Sequence, residues 1–221
     1  MAKKEKQKLN DISKWFRTLR RFERFVYRPL FPYKKHGHTE PYTDRAYIFV
    51  GNHLSLFDVV FPAVSTDRAV HYIAKNSLFK KGLMKKFVTK CECIPVNRDG
   101  TDVKAVMQAM KYLKMGECIA IFPEGTRNRT KEMFLPFKSG ATAISIKTKT
   151  PIIPMVQIKK IRFLHKAHVL IGEPLEFTEY YDKRLTDEDI KICDDILINK
   201  LSEMHIQLTD MLSKKKKGSK K

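Results

Sequence analysis

The sequence has no apolar stretch long enough to cross a membrane, because such a helix needs about 20 consecutive, mostly uncharged apolar residues. The N-terminus, MAKKEKQKLND, also has no hydrophobic core, and it does not resemble a secretory signal. We therefore expect a protein that stays in the cytoplasm and reaches a membrane only from the cytoplasmic face, as a peripheral protein.

Cysteine is scarce. The four cysteines stand at positions 91, 93, 118 and 193, which is too few and too irregular a set for a disulfide framework. Cys91 and Cys93 form a C-x-C pair, but no second pair completes a zinc site. Cys93 and Cys118 lie in apolar runs and are expected to be small buried side chains. His36 and His38 have no ligand partners nearby and are expected in a solvated loop, so we predict no metal site.

Acidic residues are outnumbered. The 221 residues include 24 Asp and Glu against 44 Lys and Arg, which gives a formal net charge of +20. An excess of this size says little about the fold, but it indicates an anionic partner such as nucleic acid, an anionic membrane or an acidic carrier protein. The chain is 43% hydrophobic, which suits one domain with a substantial core.

Residues 10–31 are predicted to form an amphipathic helix. Its apolar face contains Ile12, Trp15, Phe16, Leu19, Phe22 and Val26. The other positions are mostly basic, and residues 1–40 carry twelve Lys and Arg against four Asp and Glu, a net of +8. Apolar stripes usually pack into a core. An aromatic stripe, a basic opposite face and a terminal position together favour a helix in the interface of an anionic membrane. We assign residues 1–40 to such a segment, with packing on the domain as the alternative.

Beyond Pro41 the chain alternates between strand-like and helix-like segments. Short runs rich in Val and Ile predict strands at 46–51, 69–74, 93–96, 118–122, 152–158 and 168–172. Helical periodicity appears at 101–115, 138–148 and 186–212. This alternation predicts an α/β fold: a single domain over 41–212 with a mixed, largely parallel sheet flanked by helices. The lysine-rich residues 213–221 are expected to form a disordered tail that adds to membrane attraction.

The sequence NHLSLFD (52–58) follows the first predicted strand. His53 therefore lies just beyond the carboxyl end of that strand, where open α/β sheets bind ligands. A turn that starts a helix at Ser55 can bring His53 and Asp58 together, and a carboxylate that holds one imidazole nitrogen makes the other a base for a hydroxyl proton. The same residues also match a capping pattern, with Ser55 as N-cap and Asp58 three residues on.

The sequence FPEGTRNRT (122–130) follows another predicted strand, so it is expected at the same edge of the sheet. Gly125 permits a tight turn that lets backbone amides approach an anion. Glu124 and Arg127 bring a carboxylate and a guanidinium to this loop, and a guanidinium suits phosphate. The alternative is that Glu124 and Arg127 pair with each other across a surface turn.

Together, NHLSLFD and FPEGTR resemble the signature of the glycerolipid acyltransferase family, whose best-known members are 1-acylglycerol-3-phosphate acyltransferases. Further blocks agree in order over about residues 45–175: IAKNSLF (73–79), IPVNRDG (94–100), FKSGA (137–141) and PIIPM (151–155). One stretch departs from the family, which often has an aromatic residue and an isoleucine before its arginine. This chain has Ile94, Pro95, Val96 and Asn97 there, which leaves acceptor specificity more open than the chemistry.

The resemblance implies an enzyme that moves a fatty acyl group from acyl-CoA or acyl carrier protein to the free hydroxyl of lysophosphatidic acid, giving phosphatidic acid. It implies His53 as the base and Asp58 as its partner, and it implies no metal and no cofactor. The substrate-binding residues would be Lys75, Arg98, Glu124, Gly125, Thr126 and Arg127. Lys75, Arg98 and Arg127 would hold the phosphate, while Glu124 would order its loop or contact the glycerol. An anionic membrane surface is the expected location.

Two alternatives are kept. The acceptor could be another lysolipid, such as another lysophospholipid or an amino-acid-derived lyso-lipid. A protein of this charge could instead bind nucleic acid through KWFRTLRRFERF and the lysine tail. We expect no nucleic-acid partner, because the charge clusters at the two termini and the sequence has no nucleic-acid fold signature.

Overall fold

The computed structural model describes residues 12, 14–97, 102–138 and 140–218, with 215–218 described by backbone alone. These residues build one seven-stranded sheet. The strands are β1 (Tyr33–Gly37), β2 (Ile48–Gly51), β3 (Val70–Lys75), β4 (Ile94–Val96), β5 (Cys118–Ile121), β6 (Ile152–Gln157) and β7 (Ala167–Ile171). All six strands predicted from the apolar runs are present.

The strands lie in the order β1-β7-β6-β2-β5-β3-β4. Every neighbouring pair is parallel except β6 and β7. That exception has a simple cause, because β7 follows β6 after only nine residues, too few for the helical crossover that a parallel pair needs. The predicted α/β fold with a mixed, largely parallel sheet is confirmed.

Helices cover both faces of the sheet. The N-terminal helix α1 includes residues 12 and 14–22, a π-helical turn Glu23–Tyr27 and a last turn Arg28–Leu30. The others are α2 (Val60–Ala63), α3 (Gly82–Lys90), α4 (Val103–Lys114), α5 (Ala141–Thr148) and α6 (Asp187–Gly218). Buried residues of α1, α2 and α3 form one apolar cluster with the sheet, and those of α4, α5 and α6 form a second. Cys93 and Cys118 are buried as predicted, and burial raises the pKa of each thiol to about 12.

The structure differs from the expected boundaries at both ends. β1 lies before residue 41, yet it pairs with β7 over five residues, so the sheet begins inside the segment assigned to 1–40. The sequence YKKHG has too little apolar alternation to indicate a strand. It forms one here because its backbone pairs with β7. His36 is therefore not in a solvated loop: it is buried in β1, and its Nε2 lies 2.9 Å from Nδ1 of His168.

At the other end, α6 continues to Gly218, although a disordered tail was expected from residue 213. Lysine favours helix, and basic residues near a helix C-terminus interact well with its dipole. Of the helices within the described ranges, none has both the length and the apolar character that a membrane span requires.

The apolar stripe of α1 divides in two. Ile12 and Phe16 are buried in the core, where Phe16 is 1% exposed, and Trp15 donates from Nε1 to Cys91 Sγ at 3.5 Å. In the second half, Phe22, Phe25, Val26 and Leu30 are exposed, and Phe25 has 71% of its surface open to solvent. The first half thus packs on the domain, and the second half presents apolar surface.

Candidate active site

The two motif loops begin side by side. β2 and β5 are parallel neighbours, with Val50 opposite Ile121, so the segments that follow them leave the sheet at the same edge. β3 and β4 run in the same direction on the far side of β5, so the segments after Lys75 and Val96 also leave at that edge. The described segments in which the sequence placed site residues therefore all begin at the carboxyl edge of four adjacent strands.

His53 and Asp58 meet across the turn after β2. His53 Nδ1 lies 3.0 Å from Asp58 Oδ2, and the Asp58 side chain is 1% exposed against 18% for His53. The imidazole ring stacks on Phe122, with ring centroids 4.4 Å apart and planes 19° apart. When Nδ1 donates its proton to the carboxylate, Nε2 carries the lone pair. Among the described hydrogen bonds none involves Nε2, so this atom can accept a proton from a substrate hydroxyl.

Asp58 also caps the helical turn that follows, so the alternative interpretation of this motif holds as well. Its Oδ2 accepts the backbone N–H of Leu54 and of Ser55, each at 2.6 Å, and Ser55 Oγ accepts the N–H of Phe57 at 3.1 Å. The turn is a 3₁₀ helix at Leu56–Val59 that leads into α2. The cap thus holds the carboxylate in a fixed position beside the imidazole.

Glu124 supports the histidine loop from the loop that follows the neighbouring strand β5. Its Oε1 accepts the backbone N–H of His53 at 2.7 Å, and its Oε2 accepts the N–H of Leu135 at 2.8 Å. Burial raises the pKa of this carboxyl, and the two backbone donors and the nearby imidazole oppose that shift. Glu124 is buried while Arg127 is exposed, and they form no ion pair among the described residues. Both oxygens of Glu124 thus bind loop backbone.

Asn128 supports the histidine loop as well, and sequence reasoning missed it. Its backbone N–H donates to the carbonyl of His53 at 2.6 Å. Its side chain is fixed by the carbonyl of Glu132, at 3.0 Å from Nδ2, and by Thr130, whose N–H and Oγ1 both donate to Oδ1. An Asn that bonds the backbone two residues later is a known turn signal, so the run NRT could have indicated this loop closure.

Asn52 was also missed. Its side-chain amide makes two hydrogen bonds to the backbone of Gln157, at the end of β6: Nδ2 donates to the carbonyl at 2.8 Å, and Oδ1 accepts the N–H at 3.0 Å. This pairing fixes the residue before His53 to the neighbouring strand. No sequence signal predicts it, because the partner lies 105 residues away.

The expected phosphate-binding residues that the structure describes lie around the same edge. Lys75 ends β3, and Thr126 and Arg127 follow β5; all three side chains are exposed. Gly125 makes the predicted tight turn, with φ of +63° and its N–H bonded to the carbonyl of Phe122 at 2.9 Å. Arg98 lies outside the described residues. Within the described parts, no cluster of three or more His, Cys, Asp or Glu side chains could hold a metal ion.

The end of α1 lies against the histidine loop. Phe31, just after the helix, stacks on Phe57 with ring centroids 4.8 Å apart, and Tyr27 contacts the same ring at 5.9 Å. Phe31 also meets Phe163, which is exposed, in an edge-on contact at 5.8 Å. The exposed apolar half of α1 is therefore continuous with aromatic side chains beside the candidate site.

Known proteins are similar to this chain in sequence and in fold. A family model described as Acyltransferase matches residues 33–158. Over 143 residues the chain is 29% identical to a 1-acyl-sn-glycerol-3-phosphate acyltransferase of Bacillus subtilis (strain 168), covering 62% of this chain and 70% of that protein. Over 135 residues it is 33% identical to the protein of the same name from Helicobacter pylori (strain J99), covering 59% of this chain and 54% of that protein. The chain thus spans about half the length of the second relative.

The crystal structure of the 1-acyl-sn-glycerophosphate (LPA) acyltransferase from Thermotoga maritima superposes with a TM-score of 0.61. It shares 24% identity, and the match covers 92% of this chain and 83% of that chain. At this identity the likeness shows the fold. The family model, by contrast, spans more than half of the 221 residues, which confirms the predicted resemblance and the enzyme class. The chain belongs to the acyltransferase family.

Proposed function

We propose that this enzyme transfers a fatty acyl group from an acyl thioester to the free hydroxyl of lysophosphatidic acid, forming phosphatidic acid. The single observation that carries the proposal is the contact of His53 Nδ1 with the buried Asp58 carboxylate at 3.0 Å, which leaves Nε2 as the base. The names of the relatives supply the acceptor class, since both curated relatives described above are 1-acyl-sn-glycerol-3-phosphate acyltransferases.

In the proposed reaction the acceptor hydroxyl gives its proton to His53 Nε2 as its oxygen attacks the thioester carbonyl carbon. Asp58 keeps the ring in one orientation and stabilises the imidazolium that forms. The tetrahedral intermediate carries a negative oxygen, which backbone amides of the two motif loops stabilise. When the intermediate collapses, the carbon–sulfur bond breaks, and the imidazolium returns the proton to the thiolate. The products are an ester and a free thiol, and the enzyme forms no covalent intermediate.

Basic side chains bind the acceptor phosphate in this proposal. Arg127 and Lys75 supply exposed positive charge at the edge that carries His53, and Arg98 joins them from the segment after β4. Guanidinium groups bind phosphate in a two-point geometry that lysine lacks. Glu124 supports the loop in this proposal, because each of its two carboxylate oxygens accepts a backbone N–H group of the site.

We also propose that the enzyme works at the surface of an anionic membrane. The second half of α1 exposes four apolar side chains next to basic residues, and α3 exposes Leu83, at 83%, beside Lys85 and Lys86. Exposed apolar residues among lysines and arginines suit binding to anionic lipid. The acceptor and the product are lipids, so an enzyme held at the bilayer meets both where they reside.

An acyl-transfer assay tests the proposed function. Purified protein is given lysophosphatidic acid, lysophosphatidylcholine, lysophosphatidylglycerol and an amino-acid-derived lyso-lipid in separate reactions, each with acyl-CoA and with acyl carrier protein as donor. We expect the highest kcat/KM with lysophosphatidic acid and no transfer by His53→Ala. A higher kcat/KM with another lysolipid would replace the proposed acceptor. Absence of transfer with every pair, together with tight binding to DNA or RNA, would overturn the proposal.

A further inference from the structure

One oxygen of the Asp58 carboxylate is fully engaged and the other is not. Oδ2 lies within hydrogen-bond distance of three donors, namely His53 Nδ1 and the backbone N–H groups of Leu54 and Ser55. Oδ1 is fully buried, and none of the described residues donates to it. Buried polar atoms in proteins nearly always have a partner, and a buried charge needs one most.

A second buried acceptor shares the same cavity. Gln157 Oε1 is also fully buried without a donor among the described residues, and Gln157 and Asp58 both line one small cavity behind the histidine loop. The rest of the wall is mostly apolar and includes Phe49, Phe61, Pro62, Phe122 and Met155. The centre of a water-sized sphere can move over only about 10 Å³ in this cavity, which is room for about one water molecule.

Water is the ligand that fits these groups. It has two donor hydrogens for the two acceptors, and a buried water needs two or more polar partners. A metal cation such as Ca²⁺ would require about six or more oxygen ligands, which this mostly apolar wall does not offer. We propose that one bound water joins Gln157 Oε1 to Asp58 Oδ1, and that Gln157 is thereby a positioning residue for the His53–Asp58 pair.

The backbone makes Gln157 a fixed support for that water. Asn52 bonds both the N–H and the carbonyl of Gln157, so the last residue of β6 is tied to the residue that precedes His53. The water then completes a connection from β6 to the carboxylate. A donor to Oδ1 stabilises the ionised Asp58 and lowers the proton affinity of the pair. This consequence rests on the proposed function, in which the pair acts as the base.

Among the described residues, three titratable groups lie near Asp58, namely His53, Glu124 and Tyr27. Burial is the main cause that raises the pKa values of Glu124 and Tyr27, and the nearby Asp58 charge adds to it. Tyr27 is a rival donor, because its hydroxyl is fully buried and has no partner among the described residues. It does not line the cavity that Asp58 and Gln157 share. A Tyr27→Phe variant therefore separates the two possible donors to Oδ1.

Two substitutions of Gln157 test for the water. The water-mediated role and a purely structural role predict opposite rankings of their effects on the pH profile. Gln157→Met keeps the shape but removes the acceptor, so the water loses one of its two partners. We expect the acidic limb of the kcat/KM profile to move up by about one pH unit, the size of one hydrogen bond to a charged group. Gln157→Ala leaves room for additional water that can still donate to Asp58, so its acidic limb should stay near that of the wild type. If Gln157 has a purely structural role, Gln157→Ala should shift the acidic limb more than Gln157→Met does. That result would overturn the proposal.

A high-resolution crystal structure of the wild-type protein provides a test that does not depend on any activity. We expect a water within hydrogen-bond distance of Asp58 Oδ1 and Gln157 Oε1, and no such water in Gln157→Met. The proposal would be overturned by electron density that shows the Tyr27 hydroxyl bonded to Asp58 Oδ1. It would also be overturned if the acidic limb of the kcat/KM profile shifts in Tyr27→Phe and not in Gln157→Met. Because the water is observed directly, its absence is distinguishable from a failure to find lysophosphatidic acid acyltransfer.

Discussion

The backbone N–H of His53 donates to Glu124 Oε1 at 2.7 Å, so the loop that follows β5 holds the histidine in place. Glu124→Gln tests this support, because an amide presents one acceptor and one donor where two backbone donors need acceptors. One buried N–H loses its partner, and we expect unfolding to become easier by about 1–3 kcal/mol. Turnover should fall as the loop shifts. Urea unfolding and the acyl-transfer rate are measured together, and an unchanged rate would contradict the supporting role.

His53→Ala removes the proposed base. General-base catalysis typically contributes about 10²–10⁴-fold, so turnover should fall by at least that factor. The His53 side chain is partly exposed, and the variant keeps the backbone bonds of residue 53 to Glu124 and Asn128, so the fold and liposome binding should survive. Circular dichroism checks the fold. A correctly folded variant with full activity would end the catalytic assignment.

Asp58 has a catalytic role in the proposal and a capping role in the structure, and a pair of variants separates them. Ser55→Ala removes the acceptor for the Phe57 N–H and should lower stability by about 0.5–2 kcal/mol, with turnover retained. Asp58→Asn should lower stability and also lower turnover sharply, because an amide can donate to Nδ1 and hold the wrong imidazole tautomer. Equal turnover in the two variants would show that Asp58 acts only as a cap.

Arg127→Ala should raise the KM for lysophosphatidic acid much more than the KM for the thioester donor, because the guanidinium is proposed to bind the acceptor phosphate. Arg127→Lys should restore only part of the loss, since an ammonium cannot make the two-point contact. Arg129→Ala is the matched control, as Arg129 is another exposed arginine on the same loop. The same comparison applies to Arg98→Ala. Equal effects on both KM values would indicate a structural role.

The exposed half of α1 is expected to bind the membrane. Changing Phe25 and Val26 together to serine should weaken partition onto anionic liposomes at least tenfold, because burying one large apolar side chain contributes about 1.5–3 kcal/mol. Activity on detergent-dispersed acceptor should stay near that of the wild type. Added salt should release the intact protein, since it screens the basic face. Unchanged partition of the double variant would contradict the proposal.

Phe16→Ala is the contrasting variant for that experiment. Phe16 is buried in the core, so its loss should destabilise the fold by about 3–5 kcal/mol whether or not lipid is present. For the same reason, deletion of residues 1–31 would remove core contacts along with membrane contacts. Point substitutions in the exposed half of α1 therefore separate binding from folding.

The sequence by itself determined the local elements and the chemistry of the site. Apolar runs of strand length predicted six of the seven strands, and NHLSLFD and FPEGTR followed two of them, because side-chain periodicity and turn residues act over a few neighbours. The capping pattern S-x-x-D and the proximity of His53 to Asp58 are likewise local, spanning only five positions.

Only the tertiary structure decided which distant groups meet. The strand order brings β5 between β2 and β3, so Glu124 reaches the His53 backbone over 71 positions of sequence, and Asn52 reaches Gln157 over 105. The fold also divided the stripe of α1, burying Phe16 and exposing Phe25. Periodicity determines which residues share a face, but it carries no information about which surface will cover that face. That choice depends on packing among elements far apart in the chain.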